Sequence, residues 1–291
     1  GDITGASCTV GNFGTTSTTV YTSTCTAADG ATANVRVAVD TYTDTAGNDN
    51  EVSNVFDWTY DGTGPTMTIT SGTVASGATT ATAAVVLIYT SNEATDDFAI
   101  ADITETNCNT DTFTTTSTTV YGSTCTVTAD STPTVLVAAG AFTDAVSNTN
   151  SVSNTYTWTQ DDTGPTMTVT SATVASGSRT NTGAVVLVYT SNEATDNFII
   201  DDITETGCVT SAFTTASTTV YGSTCTEDTN GVVPTVLVAA GAFTDATTNT
   251  NSVSNTYSWT YDTADPTMAI TSTAGTADGG SSNVAAFALT Y

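Results

Sequence analysis

The chain has 291 residues, 38% of them hydrophobic, and sets 29 acidic side chains against two basic ones, with no histidine. A net charge of −27, with Arg36 and Arg179 the only bases, excludes nucleic acid as a partner, because phosphate binding rests on lysine and arginine. Anionic membrane surfaces are disfavoured for the same reason, and no apolar run approaches the roughly eighteen residues of a membrane helix, so no membrane insertion is read here.

Repetition organises the chain. Asp102 to Thr126 recurs at Asp202 to Thr226, and a diverged copy runs from Asp2 to Thr26. Tryptophan follows at Trp58, Trp158 and Trp259, and proline opens the next copy at Pro65, Pro165 and Pro266. A period near one hundred residues is longer than solenoid units and matches a self-sufficient domain. The expected division is 1–62, the closing part of one module; 63–163 and 164–264, two whole modules; and 265–291, the opening part of another. The ends leave two readings open: a window in a longer array, or chains that complete one another head to tail. Both imply an extended polymer, and the second makes the chain its own partner, head to tail along a filament. In either, Met268, Ile270, Phe287 and Leu289 are expected to face a surface like that of Phe13, Tyr21, Val37 and Trp58.

Within residues 63–163 every element reads as strand. Pro65 to Thr70 alternates apolar with threonine. Ser71 to Thr80 is a turn-rich connection, and Thr82 to Ser91 an apolar run expected to be a central strand covered on both faces. Phe98, Ile100 and Ile103 mark a third strand. Phe113 and Val120–Tyr121 belong to a cysteine-linked pair, and Val135 to Ala139 and Tyr156 to Thr159 supply the last two. The fold class is all-β, tandem two-sheet sandwiches of about seven strands each. Met67, Leu87, Tyr121, Val135 and Trp158 are the expected core, with Met167, Leu187, Tyr221, Val236 and Trp259 in the next copy.

The six cysteines recur at one separation, and no histidine or C-x-x-C offers a zinc site. Three disulfides follow, Cys8–Cys25, Cys108–Cys125 and Cys208–Cys225, and with them an oxidising, extracellular or cell-surface location.

GPTMTIT (Gly64 to Thr70), SNEATDDF (Ser91 to Phe98), AGAFTDAVSNTN (Ala139 to Asn150) and W-T-x-D (Trp158 to Asp161) give the chain a family likeness. It resembles the bacterial Ig-like domains that occur in long tandem arrays in surface adhesins and related extracellular proteins. The resemblance implies a tandem Ig-like fold and an adhesive or fibrous role.

Without histidine or lysine, and with its thiols paired, the chain lacks the commonest general bases and nucleophiles, so it is not read as an enzyme. Recurring acids are the remaining candidates for chemistry. Glu93, Asp96, Asp144 and Asp161, with Glu193, Asp196, Asp245 and Asp262, are the residues that would hold Ca²⁺ between modules. The alternative is that they build turns and keep sheet edges soluble. About a quarter of the positions are threonine, and no N-x-[ST] sequon occurs. Dense O-linked glycans would account for the excess, and β-propensity is the competing explanation. The candidates are Thr66, Thr68, Thr114, Thr116, Thr118 and Thr159, then Thr166, Thr168, Thr214, Thr218 and Thr260. The leading expectation is an extracellular filament, stalk or appendage; the alternative is the spacer of a cell-surface adhesin.

Overall fold

The computed structural model describes residues 1–272, 279, 280 and 289–291. The chain divides into two compact units, Gly1–Asp162 and Thr163–Tyr291. Among the described residues there is no α-helix, only 3₁₀ turns at Ile100–Asp102 and Ile200–Asp202.

The first unit opens with β1 (Ile3–Ala6), β2 (Cys8–Thr15), β3 (Tyr21–Ala27), β4 (Thr32–Val37) and β5 (Phe56–Thr59). They form a β1-β4-β5 sheet and a separate β2-β3 hairpin. The unit continues through β6 (Met67–Thr70), β7 (Thr79–Thr80), β8 (Ala84–Ser91), β9 (Ile103–Thr106), β10 (Asn109–Ser117), β11 (Val120–Thr126), β12 (Thr134–Val137), β13 (Tyr156–Thr157) and β14 (Thr159–Gln160). One sheet runs β10-β11-β8-β6, the second β13-β12-β9, and β14 pairs in parallel with β7.

Alternation builds the core between these sheets, because successive strand residues point to opposite faces. Met67 and Ile69 on β6, Leu87 and Tyr89 on β8, Tyr121 on β11, Val135 and Val137 on β12 and Trp158 are all buried. The equivalent positions Met167, Leu187, Tyr221, Val236 and Trp259 are buried in the second unit. There β15 (Met167–Thr170), β16 (Arg179–Thr180), β17 (Ala184–Ser191), β18 (Ile203–Thr206), β19 (Val209–Ser217), β20 (Val220–Thr226), β21 (Thr235–Val238), β22 (Tyr257–Ser258) and β23 (Thr260–Tyr261) repeat the same pairings. A last pair follows, β24 (Thr271–Ser272) with β25 (Leu289–Thr290). Each whole copy is a two-sheet β-sandwich.

Three expectations need correction. β8 is covered on one face only: Val86 and Ile88 point outward at 48% and 38% exposure. Its apolar run is β-branched residues on a solvent-facing pleat, where they favour the strand without being buried. Phe98 and Ile100 are not in a strand, which starts only at Ile103. Phe98 instead plugs the sandwich from a loop, its ring 5.0 Å from Tyr121 and 5.2 Å from Phe142. The connection Ser71–Thr80 contains β7, whose partner β14 lies eighty residues on, so nothing local announces it.

Disulfides join Cys8 to Cys25, Cys108 to Cys125 and Cys208 to Cys225, and the described residues contain no free cysteine. Cys108 lies where the chain crosses from β9 in one sheet to β10 in the other, and Cys125 is fully buried on β11. The bond therefore pins the crossover to the core.

Where one copy leads into the next, the backbone passes very close to a loop. A Cβ on Gly64 would lie 2.0 Å from the carbonyl oxygen of Thr149, and one on Gly164 equally close to that of Thr250. Only glycine fits such a crossing.

Candidate functional site

Residues 1–61 fold as half of a sandwich and leave its inner face open. Phe13, Tyr21, Tyr42 and Phe56 are 64%, 55%, 57% and 66% exposed. Their counterparts Phe113, Tyr121, Phe142 and Tyr156 pack in the closed core of the following copy with Phe98 and residues of β6 and β8. The uncovered face forms a cleft of about 870 Å³ walled by Ile3, Phe13, Tyr21, Val37 and Tyr42. Of the residues expected to face such a surface, Met268, Ile270 and Leu289 are exposed, and Phe287 lies outside the described residues.

A second feature sits at the junction inside the first unit. Carboxylate oxygens of Asp61, Glu93 and Asp144 all lie within 4.8 Å of one another. Asp61 follows β5, Glu93 follows β8, and Asp144 heads the loop after β12. Asp144 is buried and committed to its own loop: Oδ1 accepts from the N–H groups of Val146 and Asn148, and Oδ2 from the Asn148 side chain at 2.8 Å. Asp44 and Asp245 hold their loops in the same way. That turn-building role accounts for the recurrence of this acid, as Asx-type hydrogen bonding does generally. Desolvation, the largest influence on Asp144, pushes its pKa up, but these donors outweigh it and hold the carboxyl below its ordinary value. Glu93 shifts the other way: desolvation, then repulsion from Asp61 and Asp144, raises its pKa.

The remaining expected ligands lie apart from this trio. Asp96 and Asp196 are exposed on their loops, and Glu193 is half-buried and accepts from the Asn192 side chain at 3.0 Å. Asp161 is half-buried just after β14. Asp262 pairs with Arg179 at 3.1 Å, the one ion pair among the described residues.

No protein-family model matches the chain, and no curated protein matches its sequence. Among solved structures, invasin, described as a bacterial integrin-binding protein, aligns with 15% identity and a TM-score of 0.38, covering 83% of this chain and 47% of that one. InvD of Yersinia pseudotuberculosis aligns with 13% identity and a TM-score of 0.31, covering 71% and 61%. The adhesin InvE of the same organism gives 13% identity and a TM-score of 0.25, covering 68% and 58%. The chain spans less than two thirds of each of these proteins.

Of the threonines picked out as glycan acceptors, Thr66, Thr68, Thr114, Thr116, Thr118, Thr159, Thr166, Thr168, Thr214 and Thr218 are exposed. Thr260 is half-buried on β23 and is the poorest acceptor of the set. Thr114 and Thr214 lean across the neighbouring strand, their hydroxyls donating to the carbonyls of Gly122 and Gly222 at 3.4 and 3.5 Å.

The acidic trio yields a signed prediction. A carboxyl whose folded pKa is raised penalises the fold above that pKa, and the penalty is lifted as the pH falls below the unfolded value. Glu93→Gln is therefore expected to raise the melting temperature at pH 7 and low salt, and to have no effect once Glu93 is protonated in both states, below its ordinary pKa near 4.5. Asp144 runs oppositely, its contribution present above its unfolded pKa and lost as the pH falls through the lower folded one. Thermal melts between pH 3 and 8 read both signs. Repeating them with calcium tests the metal expectation, since a bound ion would make Glu93→Gln destabilising only when calcium is present.

Proposed function

We propose that this chain is a structural subunit of an extracellular filament, stalk or appendage, built from tandem disulfide-bonded Ig-like modules and carrying O-linked glycans on outward threonines. The observation that supports it is repetition with little left over. Recurring residues are occupied in folding: Met67, Leu87 and Trp158 in packing, Asp144 and Asn150 in loops, Gly64 at the crossing, the cysteines in cross-links. A mechanical element needs those parts and no catalytic constellation, so the chain is proposed not to be an enzyme. Its disulfides suit an oxidising, extracellular setting. Exposed threonine rows on sheets with few charges suit a sugar coat that keeps such faces soluble.

Electron microscopy of the native material tests the reading, with long uniform fibres as the expected result. Threads that end in a globular head would instead assign the chain to the spacer of a surface adhesin. Intact mass tests the glycans: a value above 29.4 kDa for this segment is expected, with the excess on exposed strand threonines. A mass equal to that of the bare polypeptide removes the sugar coat from the proposal.

A further inference from the structure

We infer that Asn230–Gly231 is a spontaneous deamidation site, through which the third copy acquires with age the loop carboxylate that the first two copies carry from the start. The fold gates this reaction at the Gly231 amide.

The pair is the only Asn-Gly in the chain, and its place is taken by Asp29–Gly30 in the first copy and Asp130–Ser131 in the second. The chemistry is a ring closure. The Gly231 nitrogen attacks the side-chain carbonyl carbon of Asn230, the bond from that carbon to the amide nitrogen breaks, and ammonia leaves. Water then opens the resulting succinimide at either carbonyl, giving aspartate or isoaspartate. The sum exchanges ammonia for water and needs no oxidant, reductant or cofactor. Glycine favours the closure because no side chain stands beside the attacking nitrogen and its backbone turns freely; Gly231 sits at φ +84°. An ionised carboxylate is a far poorer electrophile than an amide, so Asp29–Gly30 does not compete.

Asn230 and Gly231 are both exposed, which gives water access to the ring. Exposure belongs to this loop wherever it occurs: Asp29 is exposed although a whole copy follows it within the same unit.

The loop between β20 and β21 clasps the segment around the end of β23 at two points. The Gly231 N–H donates to the carbonyl of Tyr261 at 2.8 Å, and Oδ1 of Asn230 accepts the Thr263 N–H at 2.8 Å. The first copy has the same clasp, Gly30 to Tyr60 at 2.9 Å and Asp29 from Gly62 at 2.6 Å. So does the second, Ser131 to Gln160 at 3.3 Å and Asp130 from Asp162 at 2.8 Å.

Two consequences follow from the clasp. Attack requires the Gly231 nitrogen to lose its proton and turn toward Asn230, so the closed clasp withholds the nucleophile and the reaction runs through local opening. The aspartate product, in contrast, keeps the clasp. Its oxygen still accepts from Thr263, more strongly once ionised, and the lost Nδ2 donates no hydrogen bond among the described residues. Isoaspartate puts an extra methylene into the main chain and breaks the clasp. Other asparagines are held more firmly: Asn150 and Asn251 are buried, and Asn154 and Asn255 each use both side-chain polar atoms on the backbone of β6 and β15.

Incubation of the 291-residue chain at mildly alkaline pH, folded and in urea, tests the assignment. Digestion with a protease that cleaves before aspartate releases Asp228–Thr244, whose only asparagine is Asn230. Aspartate at position 230 creates a new cleavage point, whereas isoaspartate changes the mass without one. Asn230 is expected to convert ahead of every other asparagine of the folded chain, and at least about tenfold faster in urea, where the clasp is gone. Asn230→Asp should keep the circular dichroism of the parent and the hydrogen-exchange protection of the Gly231 amide. Another asparagine converting first in the folded chain overturns the inference. So does an Asn230 that stays intact while the denatured chain converts fully, or one that converts equally fast in both. Loss of Gly231 protection in Asn230→Asp would show that the carboxylate cannot replace the amide, and would overturn it as well.

Discussion

Trp158→Ala is expected to destabilise the sandwich of the second copy by about 3–5 kcal/mol, as truncation of a large core aromatic does. Trp158 is 1% exposed and packs beside Tyr156 with ring centroids 6.2 Å apart. Its indole N–H is buried without an acceptor, so its whole contribution comes from packing. The comparison with Trp158→Phe is informative for that reason. Phenylalanine leaves a smaller cavity and removes an unpaired donor whose desolvation costs about 1–3 kcal/mol, so this variant should lose much less than alanine. Repeated domains do not unfold as one two-state system. The readout is therefore urea-dependent hydrogen exchange at amides of β8 and β12, with β17 and β21 in the second unit as internal reference. Trp259→Ala should reverse the pattern. A loss below about 1 kcal/mol for Trp158→Ala would contradict core placement.

Replacing Cys108 and Cys125 together by alanine is expected to cost about 3 kcal/mol on the chain-entropy model for a loop of this length. The cysteines are 17 residues apart in sequence with Cα atoms 5.7 Å apart. Besides restricting the unfolded chain, the bond holds the crossover between β9 and β10, so edge strand β10 should lose exchange protection before β11 or β8. Cys125 is wholly buried and Cys108 half-buried, so reductant is expected to attack at the Cys108 sulfur. The measurement is a urea titration of the double variant beside the parent, with free thiols counted over time in dithiothreitol. Equal midpoints would show that the cross-link adds nothing to the folded array.

Much of the fold is legible in the residues because β structure writes a two-residue period. Met67 and Ile69 alternate with threonine, and the structure buries the first set while exposing the second. The hundred-residue spacing of tryptophan and proline marks the copies just as directly, since each copy must rebuild the same core. The loops were harder to read: Asp144 also builds its own turn, its oxygens accepting from Val146 and Asn148, and hydrogen bonds of that geometry leave no periodic trace.

Tertiary structure alone decided which faces are covered. An apolar run such as Ala84 to Ser91 has the same composition whether one or both sides are packed, and the outward Val86 and Ile88 show which case holds. Phe98 serves the core from a loop, the meeting of Asp61, Glu93 and Asp144 joins three distant segments, and the pairing of Thr79 with Thr159 is equally remote. The same distinction governs the first copy. Phe13, Tyr21 and Phe56 are exposed, although their counterparts Phe113, Tyr121 and Tyr156 pack in a core. Backbone geometry assigns side chains to alternate faces within a strand, so that choice is written locally. What lies against a face depends on long-range pairing, and that is a property of the assembled sheets.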